Sequence, residues 1–218
     1  MRVLHVAYQQ LRRYGQTRVS WAQKLSFGLI KNDHYLQTFS DRDIAAFEAP
    51  LGIRDFGVGK ANKRLLEMVE AMEPDLVIAG HCDMISNDTL VEIKQRNPNC
   101  VVVHCNNDPL FVPSNVERIK SRASVVDAVF VSTGRRELRQ FEGIGARLYH
   151  MPNPVETSVE VLDNSQKTDL PIDLLFCSNA TEFTKRLEMV GRIKAAVQND
   201  MNFRTFGSFG EAPVWGRD

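Results

Sequence analysis

Two short runs in this 218-residue chain gather side chains that can move protons or hold hydroxyl groups: Gly80-His-Cys-Asp83 and His104-Cys-Asn-Asn-Asp-Pro109. Each follows directly on an apolar run, so each stands where a strand ends. Histidine exchanges a proton near neutral pH, and aspartate can orient it or accept a proton from a sugar hydroxyl. A binding cleft is expected where the two runs meet. The structural alternatives are a helix cap at Asp83 and a turn at Asp108-Pro109.

The same runs contain zinc-type ligands, His81, Cys82, His104 and Cys105. Neighbouring residues at a strand end point to opposite sides, so at most one of each His-Cys pair faces a common centre. No metal is expected, and Cys82 and Cys105 should pack as small hydrophobes. A zinc hydrolase built on His81 and His104 is the weakest of the three function classes these residues allow.

Residues suited to anions lie elsewhere. The polar loop Tyr8-Gln-Gln-Leu-Arg-Arg-Tyr-Gly-Gln-Thr-Arg18 contains Gly15, which could bring the backbone near a ligand. It is neither a G-x-G-x-x-G fingerprint nor a P-loop, so dinucleotide redox chemistry and P-loop hydrolysis lose their usual marker. Phe176-Cys-Ser-Asn-Ala-Thr-Glu-Phe-Thr-Lys-Arg186 runs from a strand end into a helix start. Free amides there favour phosphate, and Lys185 and Arg186 would add positive charge. Gly207-Ser-Phe-Gly210 adds a flexible loop after the next strand.

The elements that must position these residues alternate regularly. Apolar runs at Val3-Leu-His-Val-Ala7, Leu76-Val-Ile-Ala79, Val101-Val-Val103 and Ala128-Val-Phe-Val131 read as buried parallel strands, with a weaker one at Tyr35-Leu-Gln-Thr-Phe39. Between them, Val19, Ala22, Leu25 and Leu29, then Leu65, Met68, Val69 and Met72, recur at helical spacing. Thr89-Leu-Val-Glu92 and Ser114-Asn-Val-Glu117 fit capping boxes, and Glu73-Pro-Asp75 ends a helix before a strand. Right-handed crossovers then give an α/β fold with a doubly wound parallel sheet, in which ligands bind beyond the carboxyl ends of the strands.

Composition narrows the function classes. With 43% hydrophobic and 25% charged residues, the chain is neither disordered, nor collagenous, nor a disulfide miniprotein. Its 27 basic residues balance 27 acidic ones, so no net charge draws it to nucleic acid or an anionic membrane. The N-terminal run reads as a first strand, not a signal peptide, and no window reaches the roughly 20 apolar residues of a membrane span. Cys82, Cys100, Cys105 and Cys177 suit reduced core thiols. The cytoplasm is the expected compartment, with peripheral contact to a membrane left open.

Residues 1–155 are expected to form the first domain and 156–170 a polar linker. A second apolar strand at Ile172-Asp-Leu-Leu-Phe-Cys177 is followed by a helix pattern on Phe183, Leu187, Val190, Ile193 and Val197, then by Asn202-Phe-Arg-Thr-Phe206. Residues 171–218 thus read as an incomplete second domain, because a single β-α-β unit cannot bury both faces of a parallel sheet.

Taken in order, Glu73-Pro-Asp-Leu-Val-Ile78, Asn107-Asp-Pro109, Asp127-Ala-Val-Phe-Val-Ser132, Met151-Pro-Asn-Pro-Val155, Asp173-Leu-Leu-Phe-Cys-Ser178 with Arg186, and Phe206-Gly-Ser-Phe-Gly210 resemble a group 1 glycosyltransferase of GT-B architecture, in the spore-maturation (CgeB-like) branch. The resemblance implies two Rossmann-like domains: an acceptor-side one that this chain supplies whole, and a donor-binding one of which it supplies only the first β-α-β. It implies catalytic roles for His104 and Asp108, an acceptor cleft with His81, Asp83 and Asn107, and donor or phosphate contacts at Gly15, Lys185 and Arg186. It implies no cofactor and no metal. The implied partners are a nucleotide-sugar donor and a glycan or similar hydroxyl acceptor, without nucleic acid and without an integral membrane segment. The later segment carrying the family's donor-gripping carboxylates is not in the sequence, so this chain alone is expected to be inactive. The alternative from another class is a non-catalytic α/β binding or scaffold module derived from such a domain.

Overall fold

Six short runs, the central ones rich in β-branched and aliphatic residues, pair into one parallel sheet: β1 (Arg2–Val6), β2 (Tyr35–Phe39), β3 (Leu76–Ala79), β4 (Val101–Asn106), β5 (Ala128–Val131) and β6 (Arg147–His150). The computed structural model describes residues 1–11, 20–178, 184–197 and 199–207, with backbone only at Arg135, Ser178, Thr184, Lys185 and Gly207. The strand order is β2-β1-β3-β4-β5-β6. Register runs from Val3 to Leu76, from Leu76 to Val101, from Val103 to Ala128 and from Ala128 to Arg147. The chain leaves β1 for β2 on one side and returns to β3 on the other. The topological switch point therefore lies between the carboxyl ends of β1 and β3.

The crossovers are α1 (Trp21–Lys31), α2 (Asp41–Glu48), α3 (Val58–Met72), α4 (Asn87–Arg96) and α5 (Pro113–Ala123), with a 3-10 stretch at Arg135–Phe141 leading to β6. Alternate strand residues serve two cores. Leu4, Val6, Val77, Val102 and Val129 pack with Leu65, Val69, Leu90, Ile93, Ile119 and Phe141 on one face. Val3, Ile78, Val103, Cys105 and Ala128 pack with Trp21, Leu25 and Leu29 of α1 on the other. Burial on both faces is why these strands read as continuous apolar runs instead of alternating ones. Truncating a fully buried leucine such as Leu65 or Leu90 would cost on the order of 2–5 kcal/mol.

Several boundaries differ from the sequence reading. β4 runs three residues further than its apolar core, so His104 and Cys105 are strand residues. Neither expected capping box forms. α4 is capped one turn earlier by Ser86, whose hydroxyl accepts from the Thr89 N–H at 3.1 Å, and α5 opens on Pro113, whose missing N–H costs nothing at a first turn. A full box occurs instead at α1, where Ser20 and Gln23 satisfy each other's backbone N–H. Glu73 adopts a left-handed φ of 45° and donates its N–H to Val69 at 2.8 Å, closing α3 just before Pro74. The sequence reading does not anticipate α2 or β6. At the turn into α3, a Cβ on Gly57 would fall 1.8 Å from the Ala45 carbonyl oxygen, so only glycine lets the chain pass so close to α2.

The chain divides into a first unit, Met1–Val161, and a second, Leu162–Asp218. The polar stretch from Glu156 to Val161 clusters with the first unit because it is ion-paired to α1. Lys31 Nζ donates to Glu156 at 2.6 Å, Lys24 pairs with Glu160, and Trp21 donates its indole N–H to Asn153 at 3.1 Å. In the second unit β7 (Leu174–Ser178) and β8 (Phe203–Gly207) pair in parallel around α6 (Thr184–Val197), Leu174 facing Phe203. This is one β-α-β unit. Among the described residues no helix is long and apolar enough to cross a membrane.

Candidate functional site

The loops after β3 and β4 enclose a small recess at the carboxyl edge of the sheet, whose cavity of about 10 Å³ has room for a single water and opens to solvent. His81, Asp83, His104, Asn107 and Asp108 all line it, as do Arg118 and Arg122 of α5. Parallel pairing brings them together: Ala79 lies beside His104, so the residues following each reach the same edge.

His104 is only 3% exposed. Its Nδ1 lies 2.8 Å from the Ala79 carbonyl oxygen. A carbonyl only accepts, so Nδ1 carries the proton and Nε2 is the ring's acceptor. No described residue bonds to that buried Nε2. Burial pushes the ring's pKa down to about 4, with Arg122 and Arg118 adding to the effect, so the imidazole is neutral at physiological pH. The recess therefore presents a neutral acceptor with a fixed tautomer.

His81 is more open. Its Nδ1 stands 3.5 Å from Asp108 Oδ2, and Arg118 Nη1 reaches the same oxygen at 3.4 Å. These are loose contacts that a ligand could compete with. Burial lowers the His81 pKa, opposed by the Asp108 and Asp83 charges and aided by Arg42 and Arg118. Asp108 also makes a turn, its N–H donating to Asn106 Oδ1 at 3.0 Å, so the turn and the recess occur together. Asn107 is exposed at the rim.

Asp83 is not a helix cap. Arg42 grips it with a bidentate fork, Nε to Oδ1 at 2.7 Å and an Nη to Oδ2 at 2.9 Å. The guanidinium also lies over the Tyr8 ring, 5.1 Å from its centroid. This pair lowers the Asp83 pKa against the effect of burial.

Arg42 belongs to a turn that sequence reasoning missed. Ser40 Oγ accepts from the Gln9 N–H at 2.9 Å and donates to Asp43 Oδ2 at 2.5 Å, while Asp43 accepts from the Leu11 N–H at 2.9 Å. Asp41 is fully buried and accepts from the Met84 N–H at 3.1 Å. Burial pushes its pKa up to about 6. Four consecutive side chains thus hold the loops after β1 and β3. The available signal was Ser-Asp-x-Asp directly after a strand, a helix-start pattern. Arg122 was missed as well. It is buried, donating to Asn87 Oδ1 at 2.9 Å, to the Cys82 carbonyl at 3.2 Å and to the Ile85 carbonyl. Nothing in its basic helix context separates it from surface arginines.

Of the three donor-side candidates, Gly15 lies outside the described residues, as do Ser208–Gly210. Lys185 falls in the first turn of α6, with its side chain outside the described residues. Arg186 is an exposed residue of α6, in the second unit. Cys82 and Cys105 are buried with thiol pKa values pushed up to about 12, Cys82 in one core and Cys105 in the other, which matches small-hydrophobe packing. Among the described residues no group of three or more His, Cys, Asp or Glu side chains could hold a metal ion.

No protein-family model matches the chain, and no curated protein matches it. Among solved structures, S. aureus MnaA in complex with UDP is similar, with a TM-score of 0.52 at 13% identity. The match covers 98% of this chain and 63% of that one, so the chain spans less than two thirds of its neighbour's length. The likeness is one of fold: an α/β chain with a Rossmann-like parallel sheet.

Proposed function

We propose that the chain is part of a nucleotide-sugar enzyme, specifically a glycosyltransferase moving a sugar from a nucleotide-sugar donor to a glycan or similar hydroxyl acceptor. The observation that carries this is the buried, unpartnered Nε2 of His104, a fixed acceptor in a recess at the carboxyl edge of a Rossmann-like sheet. The fold shared with a UDP-bound protein supports the donor class. In this reading Asp108 accepts the proton of the attacking acceptor hydroxyl as its oxygen bonds to the anomeric carbon and the bond to the nucleotide diphosphate breaks, while His104 Nε2 accepts from a neighbouring hydroxyl of the acceptor and orients it. His81, Asp83 and Asn107 shape the acceptor cleft. Gly15, Lys185 and Arg186 meet the donor diphosphate, and the charges of Lys185 and Arg186 with a helix N-terminus stabilise the departing nucleotide without a metal. The CgeB-like branch is the finer assignment, and residues 171–218 belong to the donor-binding side.

The test is incubation of the chain, and of the longest natural form that contains it, with radiolabelled nucleotide-sugars. Transfer or donor hydrolysis that falls about 100-fold in His104→Ala supports the reading. No turnover with any common donor in either form contradicts it.

A further inference from the structure

Among the described residues, the direct backbone tie between the loops after β3 and β1 is the Tyr8 N–H donating to the His81 carbonyl at 3.4 Å, a long bond. Arg42 reinforces it from a third element. It sits in the first turn of α2, grips Asp83 with both arms of its fork, and covers the Tyr8 ring. Its neighbours Asp41 and Asp43 are buried and bonded to Met84 and Leu11, so the turn presenting Arg42 is itself anchored on both loops. An exposed ion pair contributes little, but here the two side chains are 21% and 34% exposed and the geometry is bidentate.

We propose that Arg42 is a positioning residue of the carboxyl-edge site: by holding Asp83 and Tyr8 it fixes the loop after β3 so that His81 stays opposite Asp108. The proposal deepens the functional reading above and rests on it only for the part the His81 and Asp108 pair plays in chemistry. The groups facing His81 are Asp83 from its own loop, Asp108 after β4, Arg42 from α2, Arg118 from α5 and the neutral His104 of β4. Arg42 opposes protonation of His81 and Asp83 favours it, so the clasp balances the two charges beside the ring. Lysine could supply the charge but not the planar fork, and it could not stack on Tyr8 in the same way.

The experiment is a pH titration of the histidine ring signals by NMR on the ligand-free chain, with His81 assigned by the signal lost in His81→Gln. Arg42→Gln is expected to raise the His81 midpoint, because a cation is gone and Asp83 is left unbalanced. Asp83→Asn is expected to lower it. Arg42→Lys is expected to depart from wild type toward Arg42→Gln, because charge without the fork does not hold the loop. A His81 midpoint unmoved in folded Arg42→Gln and Asp83→Asn overturns the proposal, and so does an Arg42→Lys midpoint equal to wild type. If Arg42→Gln does not fold, Asp83→Asn and Arg42→Lys decide. Nucleotide-sugar turnover by the longest natural form that contains the chain separates the two claims: its absence defeats the functional reading and leaves the His81 shifts to judge Arg42.

Discussion

Nδ1 of His104 lies 2.8 Å from the carbonyl oxygen of Ala79 on the neighbouring strand, and this single bond decides what the other ring nitrogen can do. It commits Nε2 to accepting a hydrogen bond inside the recess, where the described residues offer it no donor. A buried acceptor left open costs on the order of 1–3 kcal/mol, which a ligand hydroxyl would recover.

The His104 ring should stay neutral, in the Nδ1–H tautomer, from pH 8 to pH 5. His104 and His5 both have pKa values lowered by burial to about 4. A histidine whose folded pKa is below its unfolded one stabilises the fold above about pH 6.5, and that stability is lost as pH falls from 6.5 toward 4. Each contributes on the order of 3 kcal/mol to this loss. Urea unfolding at pH 7.5 and 4.5 checks it: the drop between the two pH values should shrink in His104→Gln.

Asp41 should act in the opposite sense. Its folded pKa, about 6, lies above the unfolded value, so the ionised form weakens the fold above pH 6 and the weakening is relieved as pH falls through 6 toward 4. Asp41→Asn keeps an acceptor for the Met84 N–H without the buried charge. It should be more stable than wild type at pH 7.5, by up to about 3 kcal/mol, and the gap should close by pH 4. Paired denaturation curves at the two pH values measure it.

Glu156 is held well below the usual carboxylate range, at about 2, first by Lys31 and then by the Ser158 hydroxyl and N–H. A depressed carboxylate adds stability above its unfolded pKa that fades as pH drops through the folded one. Lys31→Gln should therefore raise amide hydrogen exchange at Ser158 and Glu160 at pH 7 while leaving β3 and β4 unaffected. Exchange mass spectrometry on the whole chain reads both.

Arg122→Met should cost about 3 kcal/mol, because the Cys82 and Ile85 carbonyls and Asn87 lose a buried donor together. Thermal unfolding checks it, and Arg122→Lys should recover only part, since an ammonium cannot reach three acceptors in the plane of a guanidinium.

The sheet was readable in the sequence because double-sided burial writes itself as apolar runs. Leu76–Ala79, Ala128–Val131 and Tyr35–Phe39 form strands with the expected bounds. β6 was not, since its residues are largely exposed at the sheet edge and carry little apolar signal. Chemistry at strand ends was legible too: His81, Asp83, His104, Asn107 and Asp108 line one recess. The contacts that hold it were not. Arg42 meets Asp83, 41 residues later, and Arg122 meets Cys82, 40 residues earlier. Only the fold's topology creates such neighbours, and charged residues in helices otherwise look like solvated surface.

The most direct test of the account is a titration of the chain with the methyl glycosides of common hexoses, as hydroxyl acceptors, followed through the ring signals of its five histidines. The account expects His104 and His81 to shift together and saturably, with His34, which precedes β2 at the opposite edge of the sheet, unmoved. Saturation without any change at His104 and His81 would contradict it.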